Sequence, residues 1–335
     1  MGGLYESDFV QRLQNGVESL LANWGLSPQS QVTLLTVSEN ATFRVVDTES
    51  PRDLVVRVHR PLYHTREEIA SELAWIAVLR EAGVVITPAP IAQGDGSLIA
   101  GFDDRGDTRD AVAFEFMSGE EPAEGHALAE GFRELGAISA RLHQHARDWQ
   151  RPEGFTRKSW KFETIVGDSP HWGPWQKAIG LDDTGRDVLS QAVDELERRT
   201  RDYGMEPSRF GLIHADLRLA NLLDDGARLA VIDFDDCGFG WYGFDFAAAV
   251  SFIEREAYIP ALLSAWTEGY RSIDELSEDD EAMIPTFVML RRLQLTAWLA
   301  SHSETPTALE IGDTFTDGTV VLARRFLDGQ QPFGA

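Results

Sequence analysis

The N-terminal third of the chain changes from a helical pattern to a series of short β patterns. Apolar residues recur every three or four positions near the start, which predicts one amphipathic helix through Phe9, Leu13, Val17, Leu20 and Trp24. Short β-rich runs bounded by turn residues follow, at Gln31–Val37, Ala41–Thr48, Asp53–His59, Ser97–Gly101 and Ala111–Met117. A further helix is predicted between the third and fourth runs, from about Thr65 to Ala82, with Gly83 as its stop.

Beyond residue 117 the patterns are mostly helical. Long helices are predicted around Leu128–Leu142, around Arg186–Tyr203 and over most of the remainder to Leu327. Two short strands, Asn221–Leu223 and Leu229–Phe234, flank a turn. The sequence therefore predicts an α+β, bilobal fold. Residues 1–117 form a small antiparallel-sheet N-lobe with one inserted helix, and residues 118–335 form a larger, mostly helical C-lobe.

Composition narrows the possible functions. The chain has 335 residues, with 30 Lys and Arg against 55 Asp and Glu, a formal net charge of −25. Such an acidic chain is a poor candidate for binding nucleic acid or anionic membranes. No apolar run is long enough to span a bilayer and no secretory signal is present, so we expect a cytoplasmic protein. The single cysteine, Cys237, excludes an intramolecular disulfide and a cysteine-cluster zinc site. Nothing in the sequence indicates the oligomeric state.

The most informative polar residues lie between positions 211 and 245. Asp216 follows His214 by two residues, Asn221 follows Asp216 by five, and Asp233 comes after the predicted hairpin. A carboxylate such as Asp216 can orient an acceptor hydroxyl and take its proton. ATP phosphates need Mg²⁺, which prefers oxygen ligands such as those of Asn221 and Asp233. This spacing indicates a kinase catalytic loop followed by a metal-binding aspartate.

The same stretch resembles the aminoglycoside phosphotransferase and choline-kinase-like family, which has a protein-kinase-like fold. HADLRLANLL at 214–223 is similar to the family's catalytic loop, and IDFDD at 232–236 to its metal-binding segment. The nearest branches are the stress-response kinases and the type II homoserine kinases. The resemblance implies that Asp216, Asn221 and Asp233 are catalytic, that Asn221, Asp233 and Asp235 bind metal, and that Asp245 supports the loop from behind.

The resemblance also implies nucleotide contacts in the N-lobe. Ser38 and Asn40 lie in a segment similar to the family's loop over the ATP phosphates. Arg57 stands where the family carries a phosphate-binding Lys, and Glu72 matches the acidic partner on the following helix. Arg keeps the positive charge but is longer, planar and forked.

The strand that ends at residue 117 resembles the hinge of the family. Backbone groups near Phe116 and Met117 are therefore expected to bind the edge of adenine.

A competing motif, G-x-G-x-x-G, begins at Gly238. A dinucleotide-binding fold would need alternating strands and helices after it, whereas the remaining residues have helical patterns. We therefore predict that this run is a flexible loop after the metal-binding aspartate.

Together these observations predict an ATP- and Mg²⁺-dependent kinase that phosphorylates a hydroxyl of a small molecule, either an amino alcohol or an aminoglycoside-like compound. The acidic C-lobe favours a cationic acceptor, because it would concentrate such ligands. Two alternatives stay open: a protein Ser/Thr kinase of the stress-response type, and a nucleotide-binding regulator with little kinase activity. Arg57 in place of Lys motivates the regulator, while the intact Asp216, Asn221 and Asp233 argue against it.

Overall fold

The chain divides into two compact units. The computed structural model describes residues 7–37, 40–122, 128–226, 228–303 and 305–334. The first unit comprises Met1–Gly119 together with Arg151–Arg157, and the second comprises Glu120–Gln150 together with Lys158–Ala335.

The first unit is built around an antiparallel sheet. Its strands are β1 (Gln31–Val37), β2 (Ala41–Val46), β3 (Asp53–Val58), β4 (Pro90–Ile91), β5 (Ile99–Asp104) and β6 (Asp107–Glu115). In the described residues they follow the order β1-β2-β3-β6-β4, with β5 also paired to β6. Burial alternates along β2, where Ala41, Phe43 and Val45 point into the core. The predicted antiparallel sheet is confirmed.

Two helices accompany this sheet. Helix α1 (Ser7–Leu20) buries Leu13 and Val17 against the sheet, as its spacing predicts. Helix α2 (Arg66–Glu81) lies between β3 and β4 in the sequence. It begins at a capping box, in which Thr65 and Glu68 satisfy each other's backbone N–H groups.

The β5–β6 hairpin is longer than the sequence predicts. Arg105 and Gly106 both have positive φ angles, 61° and 91°. Such a turn matches the twist of a tight hairpin and lets the two strands pair from Asp104 and Asp107 onwards. The residues beside the turn are polar, so the pattern of apolar residues does not predict that the strands extend to them.

The second unit is mainly helical. Its helices are α3 (Leu128–Asp148), α4 (Phe162–Ile165), α5 (Asp183–Tyr203), α6 (Phe244–Ala249), α7 (Ile259–Arg271), α8 (Glu278–Ser301) and α9 (Pro306–Leu327). Its strands are β7 (Ser159–Trp160), β8 (Phe210–Ile213), β9 (Leu222–Asp224), β10 (Leu229–Val231) and β11 (Gly238–Trp241). Of the helices that the structure describes, none is long and apolar enough to cross a bilayer.

Helices α3 and α7 cross with their backbones in contact. A Cβ added at Gly136 of α3 would clash with the carbonyl oxygen of Trp266, and one at Gly269 of α7 would clash with that of Arg133. The two glycines therefore allow a close crossing that no larger residue permits. This crossing fixes the helices that carry His143 and Tyr270.

The glycine-rich run is a strand, so the prediction of a flexible loop is wrong. Strand β11 pairs antiparallel with β8 and parallel with β7. A Cβ at Gly238 would lie 2.5 Å from the carbonyl oxygen of Lys158, and one at Gly240 would lie 2.5 Å from Cδ1 of Ile213. The glycines are thus needed for close packing inside a three-stranded sheet.

Candidate active site

The loop after β8 is held from behind by a buried aspartate, Asp245. Its Oδ1 accepts a hydrogen bond from the backbone N–H of Ala215 at 2.7 Å, and its Oδ2 accepts one from that of His214 at 3.3 Å. Oδ2 also lies 2.9 Å from Nε2 of His143, whose Nδ1 lies 3.0 Å from the hydroxyl of Tyr270. One carboxylate therefore ties the loop to both α3 and α7.

Ala215 has a left-handed backbone, with φ of 67°. For an L-residue this conformation costs about 1–2 kcal/mol, so the surrounding structure must enforce it. The hydrogen bond from Ala215 to Asp245 does so, and the turn that results directs the chain into Asp216.

The carboxylate of Asp216 is held at both oxygens. Oδ1 accepts from Arg291 at 2.6 Å, while Oδ2 accepts from the side-chain amide of Asn221 at 2.7 Å and from Nε of Arg218 at 3.2 Å. The pKa of Arg218 is raised, chiefly by the charge of Asp216 and with a smaller contribution from Asp233. A carboxylate fixed at this position can orient a hydroxyl group.

The β9–β10 hairpin brings the candidate metal ligands together. The backbone N–H of Ile232 donates to the carbonyl of Asn221 at 2.9 Å, so Asp233 lies one residue beyond this pairing. The His214 ring links the Asp216 loop to the end of β10, since its Nε2 lies 3.2 Å from the Ile232 carbonyl and its Nδ1 accepts from the Asp216 N–H. His214 is therefore a structural hydrogen-bonding residue.

Asp233 ends the predicted second strand early. Its φ of 59° is left-handed, so β10 stops at Val231 and a short 3-10 turn over Phe234–Asp236 follows. Asp235 within this turn is 5% exposed, and Cys237, which follows the last residue of the turn, is fully buried. The turn thus places further carboxylates beside Asp233.

This donor set suits a hard divalent cation. Asn221 uses its amide nitrogen to donate to both the carbonyl and the carboxylate of Asp216, at 2.8 and 2.7 Å. The amide can therefore offer its oxygen, and Asp233 and Asp235 can offer carboxylate oxygens. Oxygen donors of this kind match the preference of Mg²⁺.

In the first unit, Arg57 and Glu72 form a buried ion pair. Arg57 on β3 donates from one terminal nitrogen to both carboxylate oxygens of Glu72 on α2, at 2.7 Å each. The two residues are 5% and 0% exposed, and the Arg57 guanidinium lies 5.3 Å from the centre of the Phe114 ring. The pairing of Arg57 with Glu72 that the family resemblance implies is present in the structure.

The other predicted nucleotide contacts have different surroundings. Asn40 is 8% exposed, and its side-chain oxygen accepts from the backbone N–H of Arg60 at 3.1 Å. This bond ties the residue before β2 to the segment that follows β3. Ser38 lies outside the described residues. The N–H of Phe116 donates to the carbonyl of Asp53 at 3.1 Å, so this N–H is engaged within the first unit.

Arg291 is not among the site residues that the sequence predicts. This residue is 3% exposed on α8, and it contacts Asp216 although it lies 75 positions away in the chain. A signal was available: Arg291 and Arg292 are the only charged residues of the sequence between Glu281 and His302. Buried arginines need carboxylate partners, so the pair pointed to acidic residues elsewhere.

A family model described as the phosphotransferase enzyme family matches residues 32–276. Among solved structures, a microcompartment-associated aminopropanol kinase is similar, with 42% identity and a TM-score of 0.88, covering 95% of this chain and 99% of that one. An amicoumacin kinase from Bacillus subtilis (strain 168) is 23% identical over 283 residues, which are 81% of this chain and 80% of the relative. A spectinomycin phosphotransferase, 14% identical with a TM-score of 0.64 over 94% and 97% of the two chains, shares the fold.

Proposed function

Because the chain belongs to the phosphotransferase enzyme family and is an ATP-dependent kinase of a small-molecule hydroxyl, we propose that its acceptor is a small amino alcohol of the aminopropanol type. One observation carries the proposal: the 42% identity to an aminopropanol kinase along 95% of this chain. The relative whose name refers to amicoumacin is less similar, at 23%. A small cationic acceptor also suits the net charge of −25.

In the proposed reaction, Asp216 orients the acceptor hydroxyl and takes its proton. The acceptor oxygen forms a bond to the γ-phosphorus of ATP, and the bond from that phosphorus to the bridging oxygen of ADP breaks. Phosphoryl transfer depends mainly on positioning and charge stabilisation, so the fixed carboxylate of Asp216 suits this role.

Other residues are proposed to bind the nucleotide and the metal. Asn221 and Asp233, with Asp235, would hold Mg²⁺, which when bound neutralises charge on the phosphates. In the first unit, Arg57 would hold phosphate oxygens while Glu72 fixes its direction. The remaining predicted contacts, from Ser38, Asn40, Phe116 and Met117, also stay proposals.

The substrate proposal is tested by measuring ADP release with purified protein, ATP and Mg²⁺. The acceptors are 1-amino-2-propanol, 3-amino-1-propanol, ethanolamine, homoserine, spectinomycin and the neutral 1,2-propanediol, and mass spectrometry identifies the phosphorylated product. We expect the highest kcat/KM with an aminopropanol. Highest activity with spectinomycin would reject the proposal, and so would phosphorylation of a protein alone or nucleotide binding without ADP release.

The catalytic assignments are tested with two variants. We expect Asp216→Asn to lower kcat by about 1000-fold while ATP binding is retained, because the proton acceptor is lost. We expect Asp233→Asn to abolish the thermal stabilisation that ATP gives with Mg²⁺ but not with EDTA. Asp224→Asn, at an exposed position of the same hairpin, is the control. A nearly wild-type kcat for Asp216→Asn would contradict the role of Asp216.

A further inference from the structure

Arg291 lies in the interior of the second unit with every guanidinium nitrogen engaged. One terminal nitrogen donates to Oδ1 of Asp216 at 2.6 Å, the other donates to Oε1 of Gln294 at 3.2 Å, and Nε donates to the hydroxyl of Ser251 at 3.1 Å. The ring of Trp172 also lies 5.1 Å from the guanidinium. With partners in several directions, the guanidinium has a single orientation.

This orientation determines that of the Asp216 carboxylate. Arg291 engages one carboxylate oxygen, and Asn221 and Arg218 engage the other. Rotation of the carboxylate would break contacts on both sides. A carboxylate oxygen has two lone pairs, so Oδ1 can still accept a hydrogen bond beside the one from Arg291.

We propose that Arg291 is a positioning residue for phosphoryl transfer, which holds Asp216 so that the second lone pair of Oδ1 receives the acceptor hydroxyl. The inference rests on the proposed role of Asp216. Helix α8 would thereby contribute to catalysis through Asp216, although Arg291 itself need not touch the acceptor. A misplacement of reacting groups by about 1 Å can lower a rate by about 100-fold, so the expected effect is measurable.

The neighbouring Arg292 provides a matched control. It is also 3% exposed on α8, but it pairs with Glu254 at 2.6 Å and donates to the hydroxyl of Thr319 at 2.9 Å. A substitution there disturbs an equally buried ion pair without touching Asp216. Any effect shared by both arginines reports folding, and an effect confined to Arg291 reports the positioning of Asp216.

The first experiment compares Arg291→Lys with Arg292→Lys. Lysine keeps the charge but has no planar fork, so it cannot maintain all the contacts of Arg291. We expect Arg291→Lys to lower kcat by about 10-fold and Arg291→Met by about 100-fold, with KM for ATP changed by less than about twofold. Arg292→Lys should keep a wild-type kcat. Equal losses for the two lysine variants, or a wild-type kcat for Arg291→Lys, would overturn the proposal.

The second experiment combines Arg291→Lys with Asp216→Asn. If Arg291 acts through Asp216, the double variant should be no slower than Asp216→Asn alone, whereas a general loss of folding would make the two effects multiply. Rates are measured with the best amino alcohol and, separately, as the slow hydrolysis of ATP with water as acceptor. Hydrolysis without phosphorylation of any amino alcohol would reject the proposed substrate class, and the Arg291 variants would still be judged on hydrolysis.

Discussion

The hydrogen bonds to Asp245 fix the backbone that carries Asp216. Its two carboxylate oxygens accept from the N–H groups of Ala215 and His214, and one of them also contacts His143. A carboxylate accepts at both oxygens, whereas an amide has one acceptor and one donor. The capacity of Asp245 to accept hydrogen bonds at both oxygens is therefore required.

Asp245→Asn tests this requirement at the level of one atom. The new NH₂ group would face an N–H group in a fully buried site, and a buried unsatisfied donor costs about 1–3 kcal/mol. We expect the free energy of unfolding to fall by about 2 kcal/mol and kcat to fall at least about 10-fold. Urea unfolding and initial rates measure the two effects. Asp187→Asn, an exposed position on α5, should change neither, and equal effects at both positions would contradict the role of Asp245.

The residues near Asp216 differ in how well the sequence predicts them. The contact between Asn221 and Asp216 follows from their spacing, because only five positions separate them and the Asn221 amide must therefore stay close to Asp216. Arg291 reaches Asp216 only because α8 folds back over a distance of 75 residues, which no local pattern encodes. The left-handed backbone of Ala215 was also not predictable, since alanine has no preference for it.

At the scale of elements, strand β3 and helix α2 are joined by the ion pair of Arg57 and Glu72. Removing one partner of a buried pair leaves the other charge uncompensated, which costs about 3–5 kcal/mol. We expect Glu72→Gln to destabilise the protein by about 3 kcal/mol and to raise KM for ATP by about 10-fold, because the Arg57 guanidinium would lose its direction.

Urea unfolding and ATP titration measure these effects. Glu81→Gln, at an exposed position on the same helix, is the control and should alter neither. An unchanged KM for ATP in a folded Glu72→Gln protein would show that Arg57 does not hold the nucleotide.

Helix α5 carries an acid-sensitive ion-pair cluster. Hydrogen bonds from Arg198 and Arg199 lower the pKa of Glu195 to about 2. Because the folded-state pKa lies below the ordinary value of 4.5, this contribution to stability is present above pH 4.5 and is lost as the pH falls towards 2. We expect Glu195→Gln to lower the free energy of unfolding by about 1 kcal/mol at pH 7, since solvent screens the pair, and by less at pH 3.5.

Urea unfolding at pH 7, 5 and 3.5 tests this expectation. Glu197→Gln, in a longer and more exposed pair with Arg201 at 3.7 Å, should have a smaller effect. A difference between wild type and Glu195→Gln that grows as the pH falls would contradict the sign.

Prediction of whole elements succeeded where one periodic face dominates and failed where tertiary packing decides. Helices α1 and α2 follow from the spacing of their apolar residues. Strand β11 does not follow from the local sequence, because a run of glycines is typical of a loop. These glycines form a strand because β7 and β8 pair with them. In physical terms, the glycines are required by the neighbours Lys158 and Ile213, which the local sequence does not contain.

At the scale of the whole molecule, the net charge of −25 should act on the acceptor before it binds. A field of this sign raises the local concentration of cations, and salt screens it. We expect KM for 1-amino-2-propanol to rise by about threefold between 50 and 500 mM NaCl, while KM for the neutral 1,2-propanediol stays constant. Steady-state kinetics at matched ATP and Mg²⁺ concentrations measure this, and an equal salt response of both acceptors would argue against attraction by charge.

Cys237 is the sole cysteine of the chain, it is fully buried, and it directly follows the proposed metal-binding turn. A thiol reagent in solution can modify Cys237 only when that turn opens, so the labelling rate of the unaltered protein measures how often the turn opens. Because Cys237 is the one thiol of the sequence, every modified molecule is labelled at the same known position. ATP and Mg²⁺ should slow the labelling, so the labelling time, in seconds or hours, reports occupancy of the proposed metal-binding turn without any catalytic turnover.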